Sequence, residues 1–94
     1  MTKKELLNKV IRDYDIDENT FWDVLHGNME YGWLTQEWAL IRVIERLQYY
    51  DLFEIISLDT IVKKWPAIKN KIRISHIKRG MDYVIRKYTL SSSR

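Results

Sequence analysis

Asp13, Asp15 and Asp17 alternate as the opening ligands of an EF-hand calcium loop do, because carboxylates two residues apart can converge on one hard cation. The sixth position of that pattern is Glu18, where the sharp turn needs glycine, and the twelfth is Val24, where a bidentate glutamate belongs. The segment therefore reads as an acidic loop. His26 and His76 stand far apart, with no second histidine at ligand spacing, and the chain has no cysteine, so no transition-metal site is expected. Ser91-Ser92-Ser93 lacks the glycines of a nucleophile elbow, and no glycine-rich phosphate loop exists. Carboxylates for acid–base work could be paired among Asp15, Asp17, Glu18 and Asp23, but catalysis needs a walled site that moves their pKa values apart. A chain of 94 residues needs most of its large apolar side chains for its own core. The expectation is a protein that is not an enzyme, with no cofactor, no metal and no small-molecule substrate.

Basic and aromatic residues offer a different chemistry, that of contact. Residues 1–62 hold six Lys/Arg against twelve Asp/Glu, a net of −6, whereas residues 63–94 hold ten against Asp82 alone, a net of +9. Lys63, Lys64, Lys69, Lys71, Arg73, Lys78 and Arg79 follow one another with no acid between them, interleaved with Trp65, Ile68, Ile72, Ile74 and Ile77. Such a segment attracts polyanions, although the two parts of the chain could equally neutralise one another. On a helical wheel Arg79, Tyr83 and Arg86 share a stripe flanked by His76 and Lys87, opposite Ile77, Met81 and Val84. A nucleic-acid-contacting helix presents that kind of face, and the set Lys63, Lys64, Lys71, Arg73, His76, Arg79, Tyr83, Arg86 and Lys87 is the expected surface for this reading.

The second contact surface is aromatic. Trp38, Arg42, Glu45 and Tyr49 recur at i, i+4, i+7 and i+11, away from Leu40, Val43, Ile44 and Leu47. Either the helix is covered on both sides, or these residues are offered to another chain, since Trp, Tyr and Arg anchor interfaces. Eight of the twelve aromatics lie between Phe21 and Phe53, more than one small core would hide. Trp22, Trp33, Trp38, Arg42 and Tyr49 are the expected partner-binding residues.

The elements that carry these residues are helical. Thr2 with Glu5 makes a capping box for a helix over Lys3–Tyr14, with Leu6, Leu7, Val10, Ile11 and Tyr14 on one face. Thr20 caps a short helix or turn that ends near Gly27, and a loop lying against the body runs to Leu34. Thr35 caps a central helix that continues to about Tyr50. Asp51 and Asp59 cap two further segments, the second closed by Pro66. Residues 67–74 fit either a helical turn or an extended piece. Ser75 caps a final helix with its core stripe on Ile77, Met81, Val84, Ile85 and Tyr88. With no hairpin dipeptide, no strict alternation and no repeat, the fold class is all-α: a compact bundle of about five short helices in one domain, residues 1–88, with a frayed tail over 89–94. The last two helices are loosely helix-turn-helix-like, joined by a connection longer than the three or four residues of that motif. Polar residues interrupt every apolar run, so the chain reads as soluble and cytoplasmic, with no membrane contact.

Phe21-Trp22-Asp23, then Ile41-Arg42-Val43-Ile44-Glu45-Arg46, then Asp51-Leu52-Phe53-Glu54-Ile55, then Arg73-Ile74-Ser75 resemble a family of small uncharacterised bacterial helical domains. Members carry an FWD element, an IxRVxER helix, an acidic helix start and a basic R-x-S cap, and the resemblance spans most of residues 20–80. It implies an all-helical bacterial domain often expected beside nucleotidyltransferase-type toxin genes. From this follows the leading expectation, a protein–protein interaction module, antitoxin-like or accessory to a partner protein or to a second copy of itself. The alternative expectation is a nucleic-acid-binding regulator that uses the basic C-terminal helix.

Overall fold

The computed structural model describes residues 2–92 as an all-α bundle: α1 (Lys3–Ile11), α2 (Glu18–Leu25), α3 (Gln36–Arg46), α4 (Tyr49–Ile55), α5 (Leu58–Ile68) and α6 (Ser75–Ser92), with a short 3-10 turn at Lys69–Lys71 between the last two. Side-chain caps open most of them. Thr2 and Glu5 form the capping box at α1. Asp17 accepts from the Thr20 amide at 2.7 Å, Thr35 from the Trp38 amide at 3.2 Å and Ser57 from the Thr60 amide at 3.2 Å, each satisfying a donor that the helix cannot.

α3 is the hub, packed against α1, α2 and α5, and its Ala39, Leu40, Val43 and Ile44 are buried at the centre. Leu6, Leu7, Val10 and Ile11 meet it from α1, Phe21, Val24 and Leu25 from α2, and Ile61, Trp65 and Ile68 from α5. α6 closes the bundle with Met81 and Ile85. Burying a side chain of this size stabilises the fold by roughly 1.5–3 kcal/mol, which sets the positions of helices too short to persist alone.

Several boundaries differ from the sequence expectations. α1 stops at Ile11 rather than Tyr14. The caps of α2 and α5 are Asp17 and Ser57, which places Thr20 and Asp59 inside the first turns. The central helix ends at Arg46: Leu47 takes extended angles to reach the core, Gln48 opens α4, and Tyr49 begins a new helix. Asp51 thus sits in the first turn of α4 instead of capping it. α5 runs past Pro66 to Ile68, because Trp65 and Ile68 share one buried face and the proline ring points to solvent. α6 is helical through Ser92, so residues 89–92 of the expected tail belong to it; residues 93 and 94 lie outside the described residues.

Two glycines solve specific problems. Gly27, at φ +77°, follows α2 in a Schellman motif, in which Asn28 N–H donates to Asp23 C=O at 2.8 Å and Gly27 N–H to Val24 C=O at 3.1 Å. Gly32, at φ +59°, turns the chain between Tyr31 and Leu34, whose amides and carbonyls bond reciprocally as in a two-residue hairpin. α5 and α6 run antiparallel. Trp65 Nε1–H donates to Asp82 Oδ1 at 2.9 Å and Tyr88 O–H to Asp59 Oδ1 at 3.1 Å, so the pairs advance along one helix as they retreat along the other.

Candidate functional site

The side of α3 expected to face outward builds an aromatic cluster instead. Trp38 is half-buried, with its ring edge-on to Tyr14 at 5.1 Å, to Trp33 at 5.0 Å and to Phe21 at 6.3 Å. Arg42 lies over Tyr14 at 4.7 Å and Trp38 at 6.0 Å, and its guanidinium reaches Asp13 at 3.8 Å. Only 17% of the Arg42 side chain is exposed, and its Nε has no hydrogen-bond partner among the described residues. Trp38 and Arg42 are therefore chiefly internal. The signal for this was Tyr14, which leaves α1 after Ile11 and folds back over the face that the wheel treated as open.

Trp33 caps the cluster from the Gly32 turn and stays 59% exposed, with Tyr31 beside it at 74%. Trp22 sits in a different groove with Lys3, Lys4, Leu7 and Glu18, its ring against His26 at 4.1 Å and under the Lys3 ammonium at 5.4 Å. Tyr49 is in a third place. It stacks on Phe53 and passes its hydroxyl across α6 at Gly80, where a Cβ would collide with it. The five expected partner-binding residues thus fall into three locations, with only Trp33, Trp38 and Arg42 brought together.

Sequence reasoning missed the more open aromatic site. Tyr50 is 86% exposed on α4, next to Tyr49 and Phe53. Tyr49 and Tyr50 border a groove of about 520 Å³ whose lining also includes Ile44, Leu47 and Ile77 together with the polar Glu45, Arg46, Gln48 and His76. The Tyr49-Tyr50 pair, at the end of the central helix in the sequence pattern, begins α4 in the structure.

The basic residues divide in the same way. Lys63 pairs with Asp59 at 3.6 Å and Lys71 with Glu37 at 3.0 Å, while the Arg73 amide donates to Glu45 Oε2 at 3.0 Å, which ties the segment before α6 to α3. Lys64 is half-buried. On α6, His76, Arg79, Tyr83, Arg86 and Lys87 are all exposed. Arg86 is 4.0 Å from Asp82, and Lys87 lies over the Tyr83 ring at 5.5 Å.

Of the carboxylates weighed for acid–base work, Asp17 caps α2 and Glu18 accepts from the Asn8 side-chain amide at 3.4 Å. Asp13 faces Arg42 and Arg46, at 3.8 and 3.9 Å. The Thr20 amide and hydroxyl donate to Asp17 and hold its carboxyl below the usual range; the Thr2 amide and hydroxyl do the same for Glu5. His26 Nδ1–H donates to the Trp22 carbonyl at 2.8 Å. No group of three or more His, Cys, Asp or Glu placed to hold a metal occurs among the described residues. No family model, curated protein or solved structure matches the chain.

Proposed function

We propose that the protein is a non-enzymatic bacterial module that acts in the cytoplasm by gripping a partner protein, in an antitoxin-like or accessory role. The observation that carries this reading is the α4 edge, where exposed Tyr49 and Tyr50 line a groove with Ile44, Leu47, Ile77, Arg46 and His76, and Phe53, also exposed, stacks on Tyr49. Tyr and Arg supply much of the energy of protein interfaces, whereas isolated exposed apolar side chains need no partner. Tyr31 and Trp33 form a second, smaller exposed aromatic pair. Among the described residues no helix is long and apolar enough to cross a membrane.

The test is capture of partners from the native host on immobilised wild-type protein, repeated with Tyr50→Ser/Phe53→Ser and with Trp33→Ser. Because Trp33 packs on Tyr14 and Trp38 and Phe53 stacks on Tyr49, thermal melts first establish that each variant is folded at the temperature of the capture. A genuine partner should bind one of these variants at least about tenfold more weakly, the effect of losing one or two interface anchors. The reading fails if every recovered protein binds both variants as it binds wild type.

A further inference from the structure

α6 is an 18-residue helix whose two sides have separate fates. Met81 and Ile85 are buried in the core, with Ile77, Val84 and Tyr88 half-buried beside them. The opposite side, from His76 to Lys87, carries Arg79, Tyr83, Arg86 and Lys87 and no exposed acid. Asp82 is the one carboxylate on this stretch. It is half-buried, its Oδ1 accepts from Trp65 Nε1 at 2.9 Å, and Arg86 is only loosely drawn to its Oδ2, at 4.0 Å. Arg79 has no ion pair among the described residues. Seven residues separate it from Arg86, two helical turns or about 10.5 Å along one stripe.

We infer that this face of α6 binds the phosphate backbone of duplex DNA, independently of the partner-protein surface on α4. Charge is the first argument: a row of exposed cations along one helix, of which only Arg86 has an acidic neighbour, attracts a polyanion, and guanidinium groups take phosphate oxygens bidentately. Shape is the second. A helix about 10–12 Å across enters the roughly 12 Å major groove of B-form DNA, but not the deep, narrow one of A-form RNA. A single strand would need free aromatic faces for its bases, and the one aromatic on the stripe, Tyr83, already has the Lys87 ammonium over its ring. A membrane surface would need a continuous exposed apolar face on the same helix, yet over Ile77–Ile85 that face of α6 packs on the core.

Fluorescence anisotropy tests this with the full chain and a labelled duplex of about 20 base pairs, at about 50 and about 200 mM salt. Three phosphates engaged by Arg79, Arg86 and Lys87 predict a roughly 40-fold loss of affinity across that range. Arg79→Gln/Arg86→Gln/Lys87→Gln changes only exposed side chains to another good helix former, and circular dichroism checks that it folds. It should bind the duplex at least about tenfold more weakly at low salt, with a flattened salt dependence. The same titrations with a single strand, with polyglutamate and with phosphatidylserine vesicles complete the set. No binding to the duplex at low salt, wild-type binding by the triple variant, or tighter binding to any of those three competitors overturns the inference.

Discussion

Gly80 sits mid-helix in α6, where a glycine costs about 1 kcal/mol relative to alanine, so its presence needs a reason. The reason is Tyr49, whose hydroxyl occupies the space that a Cβ would take, while its Cζ would stand at an ordinary 3.6 Å. This makes the pair separable by a double-mutant cycle. Gly80→Ala alone is expected to be neutral or destabilising, because the helix gain is offset when the tyrosine ring is displaced. In a Tyr49→Phe background, which removes the colliding oxygen, the same substitution should stabilise by up to about 1 kcal/mol. Urea denaturation of the four proteins measures the coupling, and an equal effect of Gly80→Ala in both backgrounds would contradict the packing described. Nothing in the sequence disclosed this contact. Glycine in a helical pattern announces a close approach but not its partner, and Tyr49 had been assigned to the wrong helix. Trp38 shows the same limit from the other side: its place on the wheel was read correctly, yet a wheel cannot see Tyr14 and Trp33 arriving from elsewhere in the chain to cover it.

Helices were legible as elements because their apolar stripes are strong; their first and last residues were less so. The second helix was expected to be capped by Thr20, with Asp23 three residues on, but Asp17 with Thr20 satisfies the same spacing and is the cap that forms. Both are good cap residues, so propensity alone gave no ranking. The structural choice has a measurable consequence. Asp17 and Glu5 have lowered pKa values in the folded protein, so their contribution is present above the unfolded carboxyl range, near about 4, and is lost as pH falls through the folded values. The melting temperature should therefore decline as pH is lowered from about 5 into the acid range. Asp17→Asn keeps a cap of similar quality but cannot titrate, and should flatten part of that acid slope while leaving stability at neutral pH little changed. Thermal melts across pH on the two proteins decide it: an unchanged slope would mean that the carboxylate gains nothing from the Thr20 donors. Pro66 makes the complementary point. Its chemistry argues for a helix end, and only the shared burial of Trp65 and Ile68 on one face carries the chain two residues further.

Charge was the most legible feature of the whole molecule and the hardest to interpret, because a net of −6 followed by a net of +9 fits two opposed outcomes. In one, the two parts hold each other by their opposite fields; in the other, a neutral core holds the fold and the charges stay available. The structure favours the second. Lys71–Glu37 joins the basic third to the acidic part through exposed side chains, Lys63–Asp59 and Arg86–Asp82 are pairs within single helices, and the cations on α6 point to solvent. An exposed pair of this kind is worth about 0.2–1 kcal/mol, against 22 buried apolar residues among those described, which no salt concentration reaches. Raising salt from about 50 to about 500 mM should thus move the melting temperature by only a few degrees, since about 1 kcal/mol corresponds to roughly 4–8 °C in a domain of this size. A fall well beyond that range would mean that the charge split is part of what holds the chain together, and the basic face of α6 would then be already engaged within the molecule. Stability that ignores salt, combined with ligand affinity that follows it steeply, is the signature of a fold that keeps its charges for something else.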